Sequence, residues 1–495
     1  MLSVNLIPFT PELRPKLPPI EACKDYRLWR EDLVQLDSLL ASSGIQEQFV
    51  ALSLAQLRSK TSEELTLTQE LRHQDQSRVA LRCQLLCILD NLDCRAAAVR
   101  LADSRVFQWF CGLEQIDCIK TPSKSALDRY SRWLPTDSMN QLTDSLLQQL
   151  QRGDPKLRLG EVLDLSTVYL DTTCLETHIH FPVDWVLLRD AVRTLMGSIQ
   201  VIRSHGLKRR MPSPQSFLKE INQLSMAMSA NRRQEDSRKA RKRVLREMKK
   251  VVKIVEEHAR RYRQLLDANW EQGDLTRKQA AQVLKRIDAV LELLPRARKQ
   301  AHERIIGERQ VPSAGKLLSL YEPETRVVVR GKAGAEVEFG NKLFVGESKS
   351  GLLLDWKLYK DSPPADVTLL KASLERLEKK LPGVVKAAVS DRGFDSSGNR
   401  ELLESSGRYN GLCPKSPLDL EKRMKEKRFS VEQKRRAQTE GRIGILKNVY
   451  CGGRLKVKGF EHRENALVWA VFTHNLKKVV RMQLESKEQE KQKAA

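Results

Sequence analysis

One carboxylate lies between two cations in the stretch that contains Arg436, Glu440 and Lys447. If this stretch is a helix, the three side chains share one face, because offsets of four and seven residues return to nearly the same angle at about 3.6 residues per turn. Such a group suits a metal ion held beside a polyphosphate, with the cations on the phosphates. The alternative is an ordinary solvated helix face with charge pairs.

Two further carboxylates follow predicted buried strands. Residues 160–171 are rich in β-forming side chains and end in Asp171, and the apolar run at residues 384–391 ends in Asp391. Open α/β sheets bind ligands beyond the carboxyl ends of their strands, so both aspartates are candidate ligands. For Asp171 the alternative is a turn-forming aspartate after a strand.

These residues need a sheet that brings them together. Between the two aspartates, alternating patterns predict a strand meander over residues 325–358 and a helix over residues 367–381. The whole order is strand, meander, helix, strand and helix, as in a ribonuclease H-like fold, where the first and fourth strands are adjacent and parallel. We therefore predict an α/β ribonuclease H-like domain with a mixed five-stranded sheet, in which Asp171, Asp391 and Glu440 meet.

Three carboxylates a few ångströms apart repel one another unless cations lie between them. Mg²⁺ prefers hard oxygen ligands, and Mn²⁺ is an alternative ion. Two such ions, about 3.5 to 4 Å apart, can activate a water or a 3′-hydroxyl and stabilise the leaving oxygen of a phosphoryl transfer. We predict a two-metal site with Asp171 and Asp391 as principal ligands and Glu440 as the third.

The overall charge points to a polyanionic partner. The 495 residues include 87 Lys and Arg against 63 Asp and Glu, a net charge of +24. Nucleic acid is the first candidate and a membrane surface the second. We find no apolar run approaching the 18 or so residues of a spanning helix, no signal-peptide leader, and no C-x-x-C pair among the nine cysteines. We expect a soluble intracellular protein with reduced thiols.

The remaining sequence is mainly helical. Residues 1–22 are predicted to form a proline-rich arm, and residues 23–150 an all-α DNA-binding domain that is helix-turn-helix-like near 96–134. Arg129 and Arg132, with Tyr130 and Trp133, lie where a recognition helix would meet DNA. A plain helical bundle with a basic surface is the alternative.

A long helical insertion is predicted to interrupt the catalytic domain. The domain's first part covers residues 155–206, the insertion 207–315, the second part 320–480, and a basic and polar tail 481–495. The insertion has the pattern of a helical hairpin whose basic face either contacts a DNA backbone or a partner, or is solvated. Asp184 is predicted to be the N-cap of the helix that follows it.

Four motifs in this order resemble the DDE transposases of bacterial insertion sequences over about residues 70–480. They are Asp-Thr-Thr at 171–173 with Phe-Pro-Val-Asp at 181–184, Arg-Gly-Lys-Ala-Gly at 330–334 with Glu-Phe-Gly-Asn-Lys at 338–342, Asp-Arg-Gly-Phe at 391–394, and Arg436-x₃-Glu440-x₆-Lys447. The most similar group has a Tyr-x₂-Arg-x₃-Glu-x₆-Lys signature. Gln433 stands where that signature has tyrosine.

The resemblance implies an endonuclease and strand-transfer enzyme of DNA transposition. Such an enzyme binds the terminal inverted repeats of a mobile element, cuts double-stranded DNA there, and joins the 3′-hydroxyl to target DNA. Arg436 and Lys447 would contact DNA phosphates, and we add Arg392 as a further DNA contact. We also expect a homodimer or higher oligomer on DNA, no membrane partner, and a nucleoid-associated place in the bacterial cytoplasm. The alternatives are a ribonuclease H-like DNA nuclease without strand transfer and a catalytically inactive DNA-binding derivative.

Overall fold

The computed structural model describes residues 17, 20–62, 64–113, 119–159, 162–230, 237–332, 335–361 and 363–494. Most of the predicted N-terminal arm and part of the motif at residues 330–334 lie outside these ranges. The described chain is mostly helical and contains one mixed β-sheet.

Seven helices precede the sheet in the described part of the chain. They are α1 (Lys24–Ser43), α2 (Ile45–Lys60), α3 (Leu67–Leu89), α4 (Cys94–Asp103), α5 (Arg105–Cys111), α6 (Lys124–Tyr130) and α7 (Thr136–Arg152). Their apolar faces bury Phe49 and Leu146 in the same hydrophobic core as Phe344 of the sheet and Trp469 of the last helix. The predicted N-terminal domain therefore shares its core with the sheet.

Four more helices form a second hydrophobic core. They are α8 (Asp184–Ser204), α9 (Pro214–Ala230), α10 (Ser237–Asn269) and α11 (Arg277–Ala301). Leu188 and Leu195 of α8 are buried with Leu245 of α10 and Ile287 of α11. The helical unit thus begins at α8, which the sequence pattern assigned to the first part of the catalytic domain. A hairpin of two helices would leave the apolar stripe of α8 uncovered, and packing four helices together buries it.

The prediction that Asp184 is a helix cap is wrong. The helix starts at Asp184 itself, and the residue before it, Val183, makes no side-chain cap hydrogen bond. The Asp184 carboxylate instead accepts hydrogen bonds from Gln300 Nε2 at 2.8 Å and Arg304 Nη1 at 2.7 Å. It therefore fastens α8 to the end of α11 and the turn that follows.

The sheet has six strands. They are β1 (Thr167–Glu176), β2 (Arg326–Lys332), β3 (Ala335–Ser348), β4 (Leu353–Leu358), β5 (Ala387–Ser390) and β6 (Tyr409–Leu412). Their order is β2-β3-β1-β5-β6, and β4 also pairs with β3. β1 is antiparallel to β3 and parallel to β5, and β6 is parallel to β5.

The prediction of five strands is wrong, because the described sheet has six. Within the predicted meander, residues 335–348 form the single long strand β3, which pairs with β2 along its first half and with β4 along its second. Gly340 allows β3 to pack closely against β1. A Cβ at this position would lie 2.1 Å from the carbonyl oxygen of Leu175 in β1, so no larger residue fits without moving the strands.

Five helices complete the chain around the sheet. They are α12 (Leu369–Lys380), α13 (Ser397–Ser405), α14 (Pro417–Met424), α15 (Lys427–Ile445) and α16 (Phe460–Ala494). The buried middle of α16, which includes Trp469 and Phe472, joins the N-terminal helices to the sheet. Across the described ranges, no helix is both long and apolar enough to cross a membrane.

Candidate active site

The parallel pairing of β1 and β5 brings two of the predicted carboxylates to one edge of the sheet. Leu170 is in register with Ser390, so Asp171 and Asp391 are the next residues on adjacent strands. Each carboxylate accepts a local main-chain hydrogen bond, Asp171 from the amide of Thr172 at 2.7 Å and Asp391 from the amide of Gly393 at 2.9 Å. Asp391 directly follows β5, but Asp171 lies in the middle of β1, so the prediction that the first strand ends in aspartate is wrong. The strand continues to Glu176 because residues 172–176 pair with β3.

The two aspartates line a cavity of about 670 Å³ together with Glu440. Three segments that are remote in sequence therefore reach the same cavity, as the sequence pattern predicted. Lys447 also lines it, as the shared helix face with Glu440 requires. The helix α15 passes into a π-helical turn at Leu446–Tyr450, which contains Lys447. Such turns are frequent at functional sites.

The cavity is electrostatically unfavourable for its own aspartates. Burial, and next the negative charge of Asp391, raise the pKa of Asp171 to about 6, although Arg436 offsets part of this effect. Burial also raises the pKa of Asp391, and the neighbouring Asp366 and Glu440 add to the rise. Groups of like charge that are buried together favour a bound cation or a proton.

The third carboxylate differs from the other two in its exposure. Asp171 is buried, with 9% of its surface exposed, whereas Glu440 is exposed on α15. Within the described ranges, no three His, Cys, Asp or Glu side chains are gathered closely enough to hold one metal ion. The three carboxylates therefore share a cavity, and Glu440 stands apart from the close pair of aspartates.

A buried glutamate on β3 orients the helix that carries Glu440. Glu347, with 1% of its surface exposed, accepts hydrogen bonds from Arg435 Nη1 at 2.9 Å and Thr439 Oγ1 at 2.7 Å, and its other oxygen lies 3.5 Å from Arg442 Nη1. These three partners occupy one face of α15 because they are four and seven residues apart. The adjacent face, with Glu440, is thereby turned to the cavity.

Gln433 fastens the same helix to the ends of the neighbouring strands. Its Nε2 donates to the carbonyl oxygens of Ser390 at 3.2 Å and Gly411 at 2.7 Å. Ser390 directly precedes Asp391, so this contact links the position of α15 to that of an active-site aspartate. The glutamine at the expected tyrosine position thus has a definite structural partner.

The sequence pattern missed a fourth carboxylate of the cavity, that of Asp366. Its Oδ1 lies 2.6 Å from Lys342 Nζ and accepts a hydrogen bond from Thr172 Oγ1 at 3.0 Å. A Cβ on Gly393 would be 2.9 Å from Asp366 Oδ2 and 3.0 Å from Asp391 Oδ1, so the two carboxylates are neighbours. The sequence feature that could have indicated Asp366 is its position in the chain. It opens the turn between β4 and α12, on the side of the sheet where β4 and β5 end.

The predicted DNA contacts divide into two regions. The positive charge of Arg436 lowers the pKa of both aspartates. Its Nε is buried without a hydrogen-bond partner among the described residues. Arg392 is exposed directly after Asp391. Arg129 and Arg132 are exposed at the end of α6, far from this group in the chain, and Arg132 forms an ion pair with Asp128.

The aromatic residues expected to face DNA beside these two arginines instead pack inward. The Trp133 ring stacks on His73 at a centroid distance of 5.3 Å, and its Nε1 donates to Ser77 Oγ at 3.0 Å. Tyr130 contacts Trp133 edge to face at 5.5 Å. Packing of the large rings against neighbouring side chains is favoured, so both are half-buried, whereas Arg129 in the last turn of α6 is exposed.

Comparison with known protein families agrees with this geometry. Residues 329–476 match the family described as Transposase DDE domain. This region of the chain is similar to a transposase DDE domain. The match contains Asp391 and Glu440 and begins after Asp171 and the helical unit, and it confirms the resemblance to DDE transposases of insertion sequences. No characterised protein and no solved structure matched the chain.

Proposed function

We propose that this protein is a DNA transposase that binds transposon ends and carries out Mg²⁺-dependent strand cleavage and strand transfer. The observation that carries the proposal is the meeting of Asp171, Asp391 and Glu440 in one cavity with Lys447. The match to the transposase DDE domain supports a DNA substrate. The net charge of +24 agrees with a polyanionic partner.

We further propose a ribonuclease H-like fold for the catalytic domain. Its support is the topology, in which β1, β3 and β4 are antiparallel neighbours and β5 lies parallel to β1. The strand β2 is an addition at the edge, next to the helical unit in the chain. The parallel register of β1 and β5 accounts for the proximity of Asp171 and Asp391.

The donor set of the cavity fits Mg²⁺. Carboxylate oxygens are the hard ligands that this ion prefers, and burial together with the charge of Asp391 raises the pKa of Asp171. Asp171 and Asp391 would hold the ions, and Glu440 would join them by rotation of its exposed side chain. Bound Mg²⁺ would activate the attacking hydroxyl and stabilise the leaving oxygen of the phosphodiester.

The surrounding side chains act on the DNA and on the carboxylates. Lys447 lines the cavity from the π-helical turn after α15, and Arg436 lies one turn before Glu440 on α15, so both cations are placed to bind the phosphates that flank the scissile bond. Lys342 neutralises Asp366, which keeps this fourth carboxylate from adding a further unpaired charge. Gln433 and Glu347 position the helix and would not touch the substrate.

An Asp391→Asn variant tests the proposal. We expect it to bind DNA as tightly as the wild type but to cut a supercoiled plasmid in Mg²⁺ about a thousandfold more slowly or worse, because a metal ligand is lost. Asp361→Asn is the matched control, since the Asp361 side chain is 92% exposed. Undiminished cleavage by Asp391→Asn would refute the assignment of the site.

Two alternatives are separated by further assays. A ribonuclease H-like nuclease would cut but would not join a pre-cleaved element end to target DNA. A catalytically inactive DNA-binding derivative would bind and show no Mg²⁺-dependent cutting in the wild type. Sequencing the DNA that flanks the gene for inverted repeats supplies the end sequence for both assays.

A further inference from the structure

A cationic groove of about 820 Å³ lies in the helical unit, outside the carboxylate cavity. Its walls are the first turns of α10 and the segment that follows α11. Among the residues that the structure describes, five cations line it against one carboxylate, that of Glu308; the cations are Arg238, Arg241, Arg304, Arg309 and Lys316. A concave surface with this charge attracts anions.

One wall of the groove is held in place by buried polar contacts. Gln300 donates from Nε2 to the Leu317 carbonyl at 2.9 Å and accepts from the Leu317 amide at 2.8 Å, and it is 5% exposed. Arg296 donates to the Gly315 carbonyl at 2.9 Å. The Arg304 guanidinium is held by Asp184 at 2.7 Å. The segment over residues 304–317 is therefore a built wall of the groove.

Several of the lining cations are not fully paired with carboxylates among the described residues. Lys316 forms no ion pair with any residue that the structure describes. Arg241 has a buried Nε that lacks a hydrogen-bond partner among those same residues. Arg238 is only weakly engaged, since its Nη1 is 3.9 Å from Glu308 and its side chain is 84% exposed. These groups remain available for phosphate oxygens.

The groove adjoins the carboxylate cavity. Ser313 lines both, and Ala314 next to it lines the carboxylate cavity. The short turn at Ser313–Gly315 is therefore the boundary between them. A polymer that occupies the carboxylate cavity can pass this turn and continue directly into the groove.

We propose that the groove binds the phosphate backbone of the DNA strand that leads away from the bond to be cut. The inference rests on the proposed function, which places a DNA strand in the neighbouring carboxylate cavity. A nucleic-acid backbone has the required chemistry, because its phosphates repeat at a spacing that several cations can neutralise together. The helical unit thereby serves as a backbone clamp beside the catalytic domain.

The test is a quadruple variant of the full chain, Arg238→Gln, Arg241→Gln, Arg309→Gln and Lys316→Gln. Arg304 is left unchanged because it holds Asp184. The matched control removes four exposed cations from the first half of α11, Arg277, Lys278, Lys285 and Arg286. At about 1.5 Å per residue, the start of this helix is roughly 35 Å from its end beside the groove.

Binding is measured by fluorescence anisotropy with a labelled random-sequence duplex of about 40 base pairs, over KCl from about 50 to 300 mM. We expect the groove variant to bind about tenfold more weakly or worse. We also expect the slope of log affinity against log salt to fall by up to about 3 to 4, because each phosphate contact contributes about 0.9. The control variant should keep a slope close to that of the wild type.

A third variant with lysine at the three arginines keeps the charge and should retain the salt slope, which separates loss of charge from misfolding. Equal slopes for the groove and control variants would overturn the proposal. Plasmid cleavage in Mg²⁺ distinguishes this failure from failure of the proposed function. If the wild type cleaves the plasmid and the groove variant binds DNA as tightly as the wild type, only the clamp proposal is refuted. If the groove variant binds more weakly but the wild type shows no cleavage, only the proposed function is refuted.

Discussion

Replacing Asp171 by asparagine should make the metal-free protein more stable while abolishing its proposed activity. Burial and the nearby Asp391 raise the pKa of Asp171 from 3.8 to about 6. The folded state therefore holds the proton more tightly than the unfolded state between these two values. Stability contributed by this group is highest below pH 4 and is lost as the pH rises through 6.

The size of the effect follows from the pKa change. One pKa unit is worth about 1.4 kcal/mol, so ionised Asp171 costs the fold about 3 kcal/mol at pH 8 and about half of that at pH 5. Asparagine avoids this cost and keeps an oxygen that can accept the Thr172 amide hydrogen bond. We therefore expect the variant to gain up to about 3 kcal/mol in unfolding free energy at pH 8.

Thermal unfolding without divalent ions, at pH 8 and pH 5, measures this gain. The Asp171→Asn variant should unfold several degrees above the wild type at pH 8, with a smaller difference at pH 5. Mg²⁺ should then stabilise the wild type, by about 2.7 kcal/mol at a hundred times its Kd, and should stabilise the variant much less. Asp361→Asn, at an exposed site, should change none of these values appreciably.

Two outcomes would refute the reasoning. A less stable Asp171→Asn variant at pH 8 would show that the carboxylate is not under electrostatic stress. A stability difference that did not change with pH would show that its ionisation is not the cause.

The remaining predictions concern the two contacts that orient α15. Glu347→Gln leaves Arg435 without its buried counter-charge, so we expect the unfolding free energy in urea to fall by about 3–5 kcal/mol and DNA cleavage to slow. Glu401→Gln, on the exposed side of α13, should change neither. An unchanged cleavage rate in the folded Glu347→Gln variant would contradict the positioning role. Gln433→Ala removes one hydrogen bond from each of two carbonyl oxygens, so we expect a loss of about 1–3 kcal/mol and a lower single-turnover cleavage rate with unchanged DNA affinity. The exposed Gln438→Ala on the same helix is its control, and equal rates for the two alanine variants would remove Gln433 from the positioning of the site.

The main parts of the site were predictable because their signals are local. A short run of β-forming residues with an aspartate can be recognised from a few neighbouring residues, and this places Asp171 on β1 and Asp391 directly after β5, although β1 continues to Glu176. The helical period puts Glu440 and Lys447 on one face without reference to the rest of the fold. The order of these elements then predicted that they meet, and the three carboxylates line one cavity.

Contacts between distant segments decided what local signals could not. Asp366 joins the cavity through Lys342 and Thr172, both remote from it in sequence. Which face of α15 turns to the cavity depends on Glu347 of β3. Neither relation leaves a periodic mark in the sequence, because it arises only when the sheet and the helix are packed together.

The same distinction holds for the whole chain. The sequence by itself determined that the protein is strongly basic, that one aspartate lies on a buried strand and another directly after one, and that a helical stretch separates them, since composition and short-range pattern are enough for each. Only the tertiary structure decided that α8 belongs to the helical unit, that Trp133 packs inward, and that a cationic groove adjoins the carboxylates. The physical reason is that burial and charge proximity are properties of segments brought together by folding, and each segment's own sequence leaves its partner unspecified.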